Sequence, residues 1–124
     1  MNYYQEYFIS KYVNHDRRER LIYELNSKKK KFEFMNHFCH DTRRFIIPER
    51  IAYVGNVNDA LSYIKNNDTF FVMKYDDIEG RMMNKNEFIT CMKEEYMSII
   101  AIIKDLVIIK EETENTSLVF VLKE

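Results

Sequence analysis

The segment His37-Phe38-Cys39-His40-Asp41 gathers more potential ligands than any other stretch of the chain. On a helix, His37 and His40 stand three residues apart and His37 and Asp41 four, so either pair shares a face. Two imidazoles so placed can begin a zinc site, but zinc needs three or four ligands. His15, Asp76, Asp77 and Cys91 could complete one, and no recognised spacing joins them to the segment. The plainer reading is a helix C-terminus, where a protonated histidine is mildly favoured by the dipole. Cys39 is then a small core residue. No metal is assigned on this basis. His37, His40 and Asp41 are the residues a metal-dependent enzyme would use.

A cysteine nucleophile needs its thiol pKa lowered by a cation or a helix N-terminus. Arg43 and Arg44 follow Cys39 closely, but Cys39 falls late in its helix, at the wrong end. Asp76, Asp77 and Glu79 precede Gly80 and could hold a hard cation, yet the spacing of a calcium loop is not met. A solvated turn accounts for them. There is no GxGxxG, P-loop or GxSxG, so nucleotide-dependent chemistry is not expected and no cofactor is implied.

The strongest charge pattern is basic. Lys28, Lys29, Lys30 and Lys31 run together, with Arg17, Arg18, Arg20, Arg43 and Arg44 nearby. Phosphate contact needs such a stripe. Helices over 17–26 and 28–41 with a short break also follow the order of a helix-turn-helix. Four lysines opening the second helix would grip phosphates and read no bases, however. Against this stand acidic residues late in the chain: Glu94, Glu95, and Glu111, Glu112 and Glu114 at a terminal hairpin. They protect a sheet edge from unwanted pairing, or they face a basic partner.

The elements that must position these residues change character near Pro48, the only proline. Residues 1–50 carry 11 Lys and Arg against 7 Asp and Glu, and residues 51–124 carry 8 against 13. Before Pro48 the periodicity is helical. Tyr4, Phe8 and Tyr12 share a face, and Asp16 offers an N-cap to a helix over 17–26 with Leu21 and Leu25 inward. In that helix Arg20 and Glu24 form an i,i+4 pair. Ser27 offers a cap to a third helix over 28–41, with Phe34, Met35 and Phe38 inward. Thr42 to Ile47 fits no element clearly.

After Pro48 a short strand at 50–54 ends at Gly55, and Asn56 or Asn58 caps a short helix. Thr69 to Tyr75 is β-branched and aromatic, a strand. Asp76 to Gly80 reads as a turn. Asn84 and Glu87 make a capping box for a helix from Lys85. Residues 98–103 fit both a continued helical stripe and a buried strand, and the isoleucine content favours the strand. Lys104-Asp105 then turns into 106–112, and 118–123 closes a last hairpin.

The expected architecture is one α+β domain over 1–124: short N-terminal helices packed with a C-terminal, mainly antiparallel sheet of three to four strands. Two cysteines make no disulfide framework. No signal peptide and no membrane span are expected, which places the chain in the cytoplasm. A small protein-binding module, inhibitor- or immunity-like or regulatory, fits these features better than an enzyme. Its partner surface would comprise Arg17, Arg18, Arg43, Arg44, Lys28 to Lys31, and Glu111, Glu112 and Glu114. The alternatives are a nucleic-acid-associated protein using 17–44 and a metal-dependent enzyme at His37, His40 and Asp41. Oppositely charged halves would also allow a homodimer.

Overall fold

The chain enters its first helix through a reciprocal cap. Asn2 Oδ1 accepts from the Gln5 N–H and Gln5 Oε1 from the Asn2 N–H, both at 2.9 Å. In this computed structural model, residues 1–94, 97–111 and 118–124 are described. Helix α1 (Tyr3–Tyr12) buries Phe8, Ile9 and Tyr12, the face its spacing predicts. A 3-10 turn, His15–Arg17, leads into α2 (Arg18–Asn26), so Asp16 lies inside the turn and does not cap the helix. The Lys30 N–H donates to Ser27 Oγ, and α3 (Lys31–His40) starts three residues later than expected, the lysines being partly in a turn. Thr42–Phe45 forms a one-turn helix, α4. An antiparallel bridge between Val13 and Ile46 ties the ends of α1 and α4 together.

Pro48–Arg50 makes a 3-10 turn and β1 (Ile51–Gly55) follows. Asn56 caps α5 (Val57–Leu61) by accepting from the Asp59 N–H at 2.8 Å. Strands β2 (Thr69–Lys74) and β3 (Asp77–Asn84) form a hairpin, and α6 (Lys85–Glu94) follows. Strands β4 (Ile99–Ile103), β5 (Leu106–Glu111) and β6 (Leu118–Lys123) complete the chain.

The α+β class holds, and two expectations are corrected. The sheet has six strands in the order β1-β6-β5-β4-β2-β3, every pair antiparallel, not three to four. The helices are not all N-terminal, since α5 and α6 come later. One of the additional strands is β3, which replaces most of the turn assigned to Asp76–Gly80. Lys74 pairs with Asp77, so the turn itself is only Tyr75-Asp76. An edge strand need not be apolar on both sides, and only Ile78 and Met83 of β3 are buried.

Helices cover both faces of this sheet. Phe71, Met73, Ile100, Ile109 and Phe120 point to α1–α4 and pack with Phe8, Leu21, Phe34 and Phe38. Phe70, Val72, Ala101, Ile108 and Val121 point to α5 and α6 and pack with Ala60, Phe88 and Met92. Antiparallel sheets commonly keep one face wet and alternate in polarity. Here neither face of β4 or β5 is wet, so both strands read as nearly unbroken apolar runs. That is why 99–103 looked helical and strand-like at once. Among the described residues no helix is long and apolar enough to cross a membrane.

Candidate functional site

Packing α2 against α3 and α4 leaves a cleft of about 260 Å³ lined by Arg17, Arg20, Glu24, His37, Asp41, Arg44 and Phe45. Arg17, Arg20 and Glu24 follow one another at helical spacing along the 3-10 turn and α2. His37 and Asp41 stand one turn apart at the end of α3, and Arg44 and Phe45 come from α4. The Arg17 guanidinium lies over the Phe45 ring, 6.0 Å from its centroid. Three guanidiniums face two carboxylates, so the rim is positive whatever the state of His37.

Glu24 lies at the floor with its side chain only 3% exposed. Arg20 Nε donates to its Oε1 at 3.2 Å, and His37 Nδ1 approaches the same oxygen at 2.9 Å. Oε2 has no hydrogen-bond partner among the described residues. The sequence pairs Arg20 with Glu24 as an ordinary surface couple and misses the burial. The signal is present, because Glu24 falls between Leu21 and Leu25 on the inward stripe of α2.

The remaining basic residues are split between roles. Arg18 Nε donates to the Val13 carbonyl at 3.0 Å and helps end α1. Arg43 lies over the Phe120 ring at 5.4 Å. Lys30 pairs with Glu33, and Lys31 pairs with Glu79 across to β3. Lys28 and Lys29 are exposed in the turn between α2 and α3 and make no ion pair among the described residues. Tyr23, which sequence reasoning passed over, stands 64% exposed on α2 one turn from Arg20.

Glu111 is buried, and its Oε1 accepts from the Thr42 N–H at 2.9 Å. Glu112 and Glu114 lie outside the described residues. His40 and Asp41 are exposed and do not join His37 in a ligand group. The carboxylates of Glu24 and Glu33 do, with one ligand atom of each residue within 4.8 Å of the others. Cys39 is in the core, and burial pushes its thiol pKa up in spite of a hydrogen bond with the Ser98 side chain. It is therefore a thiol rather than a thiolate at neutral pH, the opposite of what a nucleophile needs. Of the acidic turn, Asp77 binds Arg81 at 2.9 Å and Glu79 binds Lys31. Compared with protein-family models, curated proteins and solved structures, the chain matches none.

Proposed function

We propose that this protein is a small cytoplasmic binding module that receives an acidic segment of a partner protein on its basic helical face, as an inhibitor or immunity protein does. The observation that carries this is the cleft between α2 and α3–α4, where Arg17, Arg20 and Arg44 converge. A partner carboxylate at the rim meets planar guanidinium forks, which bind it in two parallel hydrogen bonds. Exposed tyrosine beside arginine, as at Tyr23 and Arg20, is the composition that dominates binding energy in protein interfaces. Lys28, Lys29 and Arg43 extend the positive field and would speed encounter with an acidic partner.

Affinity capture from lysate of the source organism tests this, with wild type and the R17E/R44E double variant run side by side, each with and without nuclease. The expected result is a protein retained by wild type, resistant to nuclease, and lost with charge reversal. Equal capture by the double variant would overturn the reading. Loss on nuclease treatment would instead favour nucleic-acid association through 17–44.

A further inference from the structure

We infer that Glu24, Glu33 and His37 form a binding site for a divalent cation of the zinc class, between α2 and α3. Glu33 and His37 stand one turn apart on α3, and Glu24 faces them from α2. One ligand atom of each lies within 4.8 Å of the others. That set, one imidazole and two carboxylates, is of the donor types zinc accepts, and three protein ligands leave its fourth position for water.

The group differs from a chance gathering of surface acids in one respect. Glu24 is 2% exposed, and its Oε2 has no hydrogen-bond partner among the described residues. A buried carboxylate oxygen without a partner is costly, and native folds rarely leave one so. A cation at this position would satisfy it. His37 Nδ1 lies 2.9 Å from Glu24 Oε1, so the imidazole already faces this carboxylate. Arg20 holds Oε1 and Lys30 holds one oxygen of Glu33, so each carboxylate keeps its other oxygen for the metal. These cations oppose a dication by charge, which makes the site a weaker one than a cage of cysteines. His37 is 41% exposed, which gives the ion a route in.

Isothermal titration of the full chain with zinc chloride in a non-chelating buffer tests the site. One zinc per chain is expected, with affinity reduced on the order of tenfold or more in Glu24→Gln and in His37→Ala, since each loses a ligand. His40→Ala, which removes a histidine outside the group, should bind as wild type does. His37→Ala alters a partly exposed side chain, so it serves even if Glu24→Gln folds poorly. Absence of zinc binding by wild type would overturn the inference. So would full-strength binding in both ligand variants, or an equal loss in His40→Ala.

Discussion

Lys110 and Glu111 are neighbours on β5, and their side chains leave the sheet on opposite faces. Lys110 Nζ donates to the Met92 carbonyl near the end of α6 at 3.0 Å, and Glu111 Oε1 accepts from the Thr42 N–H at the start of α4. Each charge meets a helix end of opposite polarity. Burying a charge is tolerable only with such bonds. Glu111→Ala should therefore lower the unfolding free energy by about 1–3 kcal/mol, because it also strips the Thr42 N–H of its acceptor. Glu111→Gln should cost less, since the amide oxygen can still accept. Urea unfolding of both variants measures the difference. From the sequence, Glu111 looks like the first of a run of exposed glutamates. Its burial goes with α3 packing on β5 and the Thr42 N–H at the start of α4 meeting its carboxylate, a contact 69 residues distant that no local pattern encodes. Glu24 differs, since its place on an apolar stripe was readable from α2 alone.

At the scale of elements, edge strand β1 and the cap of α6 are legible in the sequence, and the other edge strand, β3, is not. The capping box expected at α6 is present: Asn84 Oδ1 accepts from the Glu87 N–H and Glu87 Oε1 from the Asn84 N–H, at 2.9 and 3.2 Å. Both partners lie within one turn, so residue type suffices. Strand β3 escaped because Gly80 and its charged neighbours imitate a loop. Gly80 in fact sits within the strand at φ +76°, and a Cβ there would run into the Phe71 ring. Gly80→Ala combines a strained backbone with that collision and should destabilise by about 1–3 kcal/mol. The expected result is a lower urea midpoint with the β2–β3 hairpin the first to lose amide protection in hydrogen exchange.

For the molecule as a whole, burial in the core between α1–α4 and the sheet sets the response to alkali. Burial raises the pKa of Tyr12, Tyr7 and Cys39 above the ordinary values of 10.0 for tyrosine and 9.0 for cysteine. The native state then keeps protons that the unfolded chain releases. Stability from these groups is complete below about pH 9 and declines as pH rises beyond 9 to 10, by up to about 1.4 kcal/mol per pH unit for a buried group such as Cys39 and by less for the more exposed Tyr7. Urea midpoints should be level near neutrality and fall above pH 10, less steeply in Tyr12→Phe. A midpoint that held or rose above pH 10 would contradict the burial of these groups. The charge contrast between the two halves of the chain is legible in composition. Its partial cancellation is not: Lys11 with Glu124 and Lys31 with Glu79 cross between the halves. The position of β6 has a consequence for biosynthesis. It pairs with both β1 and β5, yet it leaves the ribosome after the other five strands of this sheet. Until it emerges, β1 has no neighbour in the sheet, and the apolar face of α1–α4 lacks Phe120 and Leu122 beneath it. The sheet therefore cannot be completed before β6 is made, and until then the core side of the basic helices is covered only in part, chiefly by β2, β4 and β5.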